Sequence, residues 1–395
     1  MVRRFNQTRR KSLTPSDHLR VGPFEEGSFK SALHSARTAS ILGIALGICF
    51  GIAFVTGVLS HLIQNPTSWF HWPSRPAGLF RITQGLHVST GMMSIPLLLA
   101  KLWTVYPKLW KWPIFDDLTH LVERMSLFPL VAGSIFLLFT GLLNINYWYP
   151  WPFLFVPAHY WVAWITIGAL IVHIGAKAAT VRKALSSDTV LIDEVKDGLT
   201  RRRFLTLVGA ASGVVMLSFA GSTVRFLRKV SVLAPRDPAV GPQGFPVNRS
   251  SAQARVAQFA LDPNYRLEVE GKMKQVISLS LSNLKAMPQY GAELPIACVE
   301  GWSAMVRWRG VRLSDILKLV DAAPGASVRV ESMERRGDYR TSILNSTHAM
   351  HPDTLLALEA NGETLHLEHG FPVRLITPTN PGVMQTKWVG RLVVL

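Results

Sequence analysis

The sequence predicts a membrane α-helical bundle, four helices plus one anchor helix, followed by a mixed α+β domain outside the bilayer. Three observations carry this. Hydrophobic residues make up 48 % of the 395 residues and charged residues only 17 %, too apolar for an ordinary soluble protein of that length. Five apolar runs approach the roughly 20 residues a helix needs to cross a bilayer. Beyond residue 250 such runs stop, and short alternating stretches take over.

The apolar runs cover 39–62, 84–106, 125–145, 157–179 and 204–224; the fifth is rich in small residues. Their flanks give an orientation, because short cytoplasmic loops carry an excess of Lys and Arg. The N-terminal tail holds Arg3, Arg4, Arg9, Arg10, Lys11, Arg20, Lys30 and Arg37. Lys101, Lys108, Lys111 and Arg124 belong to the loop between runs two and three. Lys177, Arg182, Lys183 and Arg201 to Arg203 follow run four. The uncharged loop 144–158 is rich in Trp and Tyr, as an outer interfacial belt is. The N-terminus is therefore expected in the cytoplasm, and five spans carry the C-terminal domain to the periplasmic side of a bacterial inner membrane. The first 250 residues hold 26 Lys+Arg against 11 Asp+Glu, the remainder 16 against 14. Because the basic residues flank apolar runs, this charge argues for a membrane and against nucleic acid.

The expected boundaries are a cytoplasmic tail 1–36, a four-helix membrane domain 37–180, a cytoplasmic linker 181–203, a fifth helix 204–224, a tether 225–250 and a soluble domain 251–395. In that domain, 265–271 alternates like an edge strand, and 276–280 leads into a helix at 282–287. Residues 311–320 have helical spacing. Short strands are expected at 327–331, 364–367, 373–376 and 391–394. The chain has two cysteines, Cys49 in an apolar run and Cys298 in the soluble part. A bilayer separates them, so no disulfide framework is expected.

Histidines mark the membrane half. His159 and His173 are fourteen residues apart on run four, close to four turns, so both face one side about 21 Å apart. His87 lies on run two at the outer depth of His159. Intramembrane ionisable groups are costly, so function is their default reading. Bis-histidine ligation from facing helices is a simple way to hold a haem. This arrangement resembles the membrane cytochrome b family of small di-haem quinol oxidoreductases and hydrogenase cytochrome subunits. The resemblance implies one or two b haems, the outer one between His87 and His159, the inner one between His173 and His34. His61 is a rival outer ligand or a haem-propionate partner. The resemblance also implies a quinone or quinol as electron partner.

The stretch Thr-Arg-Arg-Arg-Phe-Leu-Thr (200–206) resembles the twin-arginine export motif. A domain that folds around its cofactor in the cytoplasm needs such a route, since a folded domain cannot be threaded. Three arginines anchoring a helix on the cytoplasmic side is the simpler reading of the same residues.

The soluble domain reads Pro-Ile-Ala-Cys-Val-Glu-Gly-Trp-Ser (295–303), His-Pro-Asp-Thr-Leu-Leu-Ala (351–357), Asn-Gly-Glu (361–363), His-Gly-Phe-Pro-Val-Arg-Leu-Ile (369–376) and Thr-Lys-Trp-Val-Gly (386–390). In content and order this resembles the molybdopterin domain of the sulfite oxidase family, over about 255–395. The resemblance implies that the Cys298 thiolate binds molybdenum, a soft donor for a metal already bound by dithiolene sulfur. It also implies that Arg374 and Lys387 contact the pterin and its phosphate, and that His351 or His348 approaches the pterin or lines the pocket. Arg307, Arg309 and Tyr339 are further pocket candidates. The expected activity is that of a membrane-bound molybdenum oxidoreductase with a molybdenum-molybdopterin cofactor. It exchanges an oxygen atom with a small S- or N-oxide or sulfite-type substrate, and passes electrons through b haem to or from the quinone pool. The alternative is a cytochrome b quinone or ferric oxidoreductase carrying a non-catalytic molybdopterin-like domain.

Overall fold

The computed structural model describes residues 31–110, 118–186 and 199–395. The basic tail through residue 30, Lys111 and the linker core 187–198 lie outside the described residues. Five helices are long and apolar enough to cross a membrane: α1 (Ala36–Gln64), α2 (Leu79–Val105), α3 (Leu118–Ile145), α4 (Phe155–Ser186) and α5 (Arg201–Ala220). Local chemistry starts two of them. The Ser35 hydroxyl accepts from the Thr38 N–H at 3.2 Å, and the Thr200 hydroxyl from the Arg203 N–H at 3.3 Å. Such caps satisfy an otherwise orphan donor. Pro96 and Pro129 lie inside α2 and α3, as neighbouring helices in a bundle allow. Hydroxyls inside the bundle bond their own helix, as Thr56 to the Ile52 carbonyl, Ser94 to Thr90 and Thr140 to Phe136.

α1 packs on α2 and α4, α3 on α4, and α5 on α2. Leu42, Cys49, Leu97 and Val208 form the α1–α2–α5 core. Lys101 corrects one expectation. It lies in α2 rather than a loop, and its Nζ donates to the Ala39 carbonyl at 2.6 Å.

The C-terminal part opens with two single turns, α6 (Ser251–Ala254) and α7 (Ala257–Ala260). One five-stranded sheet has the order β2-β1-β10-β5-β6, from β1 (Arg266–Gly271), β2 (Ile277–Ser280), β5 (Val328–Ser332), β6 (Thr341–Leu344) and β10 (Val389–Val394). The second runs β3-β4-β7-β8, from β3 (Tyr290–Ala297), β4 (Ser303–Arg312), β7 (Leu355–Ala360) and β8 (Glu363–Thr364), with β9 (Arg374–Ile376) paired to β7. Helices α8 (Leu281–Ala286), α9 (Leu313–Leu319) and α10 (Ser346–Ala349) connect them.

β1 is not an edge strand. Its alternation fits a half-buried face, but β10 runs parallel along its other side, Glu268 opposite Arg391. The main core joins both sheets: Leu267, Val330 and Leu392 from one, Val311, Leu356 and Leu375 from the other, with Ile316 of α9. Each such side chain contributes about 1.5–3 kcal/mol by leaving water. Part of the segment 225–250, read as a tether, is packed down, while Val232, Leu233 and Val240 stay exposed. Phe245 is fully buried and its ring stacks on His369 at 3.6 Å.

Candidate functional site

Cys298 opens the hairpin loop from β3 to β4 and is 1 % exposed. The loop is closed by the Cys298 N–H on the Trp302 carbonyl (2.9 Å) and the Gly301 N–H on the Cys298 carbonyl (3.0 Å). Gly301 has φ +89°, and a Cβ there would come within 3.0 Å of Val88 on α2, so only glycine fits both the turn and the close approach. Burial pushes the thiol up, with Glu300 adding to it, while Arg236 and Asn248 oppose it. A bound metal would invert this and hold the thiolate. Glu300, 6 % exposed, faces Arg236 Nε at 3.4 Å and accepts from Trp302 Nε1 at 3.1 Å.

Two cations enclose the same site. Arg374, on β9, is 2 % exposed; its Nη1 donates to the His369 carbonyl at 3.1 Å and its guanidinium lies over Trp308. Its Nε is buried with no acceptor among the described residues. Burial pulls the guanidinium down to about 9. Lys387 is partly exposed, but its ammonium is enclosed, donating to the carbonyls of Arg249 (2.6 Å) and Glu368 (2.9 Å). Burial and then Arg374 lower its pKa well below the usual lysine range. Neither forms a carboxylate ion pair among the described residues. Buried cations without counter-charges are costly, and a thiol beside them completes a donor set of soft sulfur plus anion-binding groups. These residues fit a molybdenum-molybdopterin cofactor with an anionic tail.

His348 and His351 are placed against the 65–78 loop, which joins α1 to α2. Arg75 Nε approaches His351 Nε2 at 3.4 Å, and His348 Nε2 lies 3.1 Å from the Thr379 hydroxyl. Burial, then His351, lowers the His348 pKa to about 4. Thr379 ties the two parts of the chain together. Its N–H donates to the Ala77 carbonyl (3.2 Å), its hydroxyl to Pro73 (2.8 Å), and its carbonyl accepts from Trp72 Nε1 (3.1 Å). These bonds offset a left-handed φ of +61°, which costs a β-branched residue about 1–3 kcal/mol. Arg307 and Arg309 do not reach the site. Strand alternation turns both to the exposed face of β4, and Arg309 pairs with Glu359 at 3.5 Å.

In the bundle, His87 and His159 are brought together, ring centres 6.1 Å apart. His87 Nδ1 is 2.8 Å from the Ala53 carbonyl, which can only accept, so Nδ1 carries the proton. His159 Nδ1 is 2.9 Å from the Thr140 hydroxyl, whose own proton goes to Phe136, so the same holds there. Each Nε2 is then the lone-pair nitrogen, with no hydrogen-bond partner among the described residues, as in a metal-ligating histidine whose other nitrogen donates. A metal bonded about 2.0–2.1 Å from each of two imidazoles would set the ring centres roughly 6 Å apart, so these two residues could hold one metal ion between them. Both line a cavity of about 970 Å³ that also takes in Phe54, Gly57, Gly141 and Tyr339.

His61 lines this cavity too, stacked on Tyr160 at 3.6 Å. The Asn65 amide donates to the His61 carbonyl at 3.0 Å and lies 3.4 Å from His61 Nδ1. His34 contacts α2, Nδ1 to the Thr104 carbonyl at 3.1 Å and its ring against Trp103. His173 lies on α4.

Residues 253–395 match the family described as the oxidoreductase molybdopterin binding domain. Over those residues the C-terminal part is similar to the molybdopterin-binding domains of that family. The chain is 38 % identical over 131 residues to the putative protein-methionine-sulfoxide reductase subunit YedZ1 of Azospira oryzae, covering 33 % of this chain and 49 % of that one. It is 31 % identical to the mitochondrial sulfite oxidase of Drosophila melanogaster, over 33 % of this chain and 27 % of that one. It is 32 % identical to the protein-methionine-sulfoxide reductase catalytic subunit MsrP of Gluconobacter oxydans, over 33 % and 47 %. The chain thus spans at most about half the length of these relatives.

Glu300, Arg236 and Asn248 join the site without having been singled out from sequence. Glu300 lay inside the cysteine motif and was the one with a signal.

Proposed function

We propose that the chain is a membrane-bound molybdenum oxidoreductase that exchanges an oxygen atom with a small S-oxide or sulfite-type substrate. The carrying observation is the buried Cys298 beside Arg374 and Lys387, two enclosed cations without carboxylate partners among the described residues, in a molybdopterin-binding domain. Molybdenum-molybdopterin, when bound, supplies two-electron oxygen-atom exchange: an S-oxide, two protons and two electrons give a thioether and water, and sulfite with water gives sulfate in the opposite sense. Cys298 holds the metal, and Arg374 and Lys387 bind the anionic pterin tail. Packing of Trp302, Trp308 and Phe245 around the loop excludes water.

In the bundle, His87 and His159 hold a b haem, with His61 donating to a propionate. His173 holds a second haem, and His34 is its candidate partner. Electrons pass between this bundle and a quinone/quinol couple; one quinol releases the two electrons and two protons that one S-oxide consumes. The N-terminus is cytoplasmic and the C-terminal domain lies outside the inner membrane. The similarity to methionine-sulfoxide reductase chains and to sulfite oxidases supports the sulfur-centred substrate class.

Metal analysis with an optical spectrum of the purified protein is the test. Cys298→Ser is expected to abolish turnover while leaving the b-type signal intact, and full activity in that variant would remove the central assignment. His159→Ala is expected to lose the outer haem; an unchanged reduced-minus-oxidised spectrum would show that the outer pair is wrong.

A further inference from the structure

The bundle reaches the molybdenum-ligand loop directly. The carbonyl of Val299, covalently next to Cys298, accepts from two side-chain amides of the bundle: Gln84 Nε2 at 3.0 Å from α2 and Asn144 Nδ2 at 3.3 Å from α3. The Asn144 amide is itself oriented, since Tyr149 OH donates to its Oδ1 at 2.9 Å. Gln84 precedes His87 by three residues, about 4.5 Å along the same helix. Gln84, Asn144 and Val299 all line the cavity that His87 and His159 share. The far side of the loop is clasped as well. The Thr223 hydroxyl donates to the Gly301 carbonyl (2.6 Å), and the Ser303 N–H to the Ser222 carbonyl (2.8 Å), both just beyond α5.

We propose that Gln84 and Asn144 are positioning residues that clamp the Val299 carbonyl, fixing the Cys298 loop on the outer end of the bundle for direct electron exchange with the His87–His159 site in the same chain. This rests on the function proposed above. No separate carrier is needed: each electron that leaves one centre arrives at the other, two per substrate. The reductant is a quinol, oxidised to quinone with release of two protons, when an S-oxide is reduced to thioether and water. The acceptor is a quinone when sulfite is oxidised.

The test compares wild type with Gln84→Leu/Asn144→Leu and, in case that pair perturbs folding, with the single variants Gln84→Met and Asn144→Leu, each of which removes one donor. In metal-free protein carrying Cys49→Ser, amide hydrogen exchange across 299–303 and alkylation of Cys298 are each expected to rise more than tenfold. In loaded protein, oxidation of the reduced b-type signal by methionine sulfoxide, or its reduction by sulfite, is expected to slow more than tenfold relative to dye-linked activity of the same sample. Exchange rates within twofold of wild type would overturn the clamp. Faster exchange with an unchanged ratio would overturn its role in electron exchange. A wild type without a b-type signal, or responding to neither probe, would overturn the underlying function instead, while the metal-free measurement still judges the clamp.

Discussion

Arg374 is a buried cation with no carboxylate ion pair among the described residues, which suits the anion-binding role proposed for it. Its guanidinium faces a carbonyl and an indole, and its Nε has no acceptor among the described residues. A buried charge without a partner carries a desolvation cost that no attraction repays, so an apolar group of similar size can hold the fold as well. Arg374→Met is therefore expected to change the stability of the metal-free protein by less than about 1 kcal/mol, or to raise it, while molybdenum content falls more than tenfold. Melting curves and metal analysis on the same preparations check both halves; a strongly destabilised metal-free protein with normal metal content would contradict the assignment. At this scale Cys298, Arg374 and Lys387 could be singled out from sequence because each lies in a short motif with ordered neighbours, and the structure buries the thiol, the guanidinium and the ammonium. Gln84 and Asn144 were not, because a single amide in an apolar helix leaves no periodic trace, and its partner is a backbone carbonyl 215 or 155 residues away.

Among elements, the histidine pair depends on what the facing helices leave out. A Cβ at Gly57 of α1 would lie 3.1 Å from His87 Cε1, and one at Gly141 of α3 would lie 3.8 Å from His159 Cε1. The first is tight and the second an ordinary contact. Gly57→Val is expected to displace the His87 ring and lower the b-type signal, whereas Gly141→Ala keeps it, as pyridine-haemochrome quantitation on both variants would show. The five apolar helices were legible from hydrophobic runs alone, although their ends differ from those runs: α4 continues to Ser186 because its polar end still closes helical hydrogen bonds, and α5 stops at Ala220, short of residue 224. β3, β4, β6 and β7 escaped the reading. β7 is buried almost throughout and so does not alternate, and β3 carries Gly291 and Pro295.

For the whole molecule, acid stability follows from buried imidazoles. Burial lowers the His369 pKa to about 3, with Arg374 adding, and that of His348 to about 4, against about 6.5 in an unfolded chain. Between those limits the unfolded chain binds more protons, so stability falls as pH falls from about 6.5 toward 4. Melting temperature followed over that window is expected to drop, with a shallower slope in His369→Gln; an equal slope in both proteins would refute this source. Topology has its own check: a reporter active only outside the cytoplasm is expected to work after Leu395 and to be silent near Ser187, and Arg201→Lys/Arg202→Lys is expected to strand the domain inside if the twin-arginine route is used.

The parallel pairing of β1 with β10 has a consequence for synthesis. β10 is the middle strand of its sheet, yet it comes from residues 389–394, behind every other strand of the domain. Until those residues leave the ribosome, β1 and β5 have no partner between them, and Lys387, two residues upstream, cannot take its place beside Arg374. The pocket proposed for the pterin therefore closes only once residues 387–394 are made, and cofactor loading is expected to follow the emergence of the earlier strands rather than accompany it.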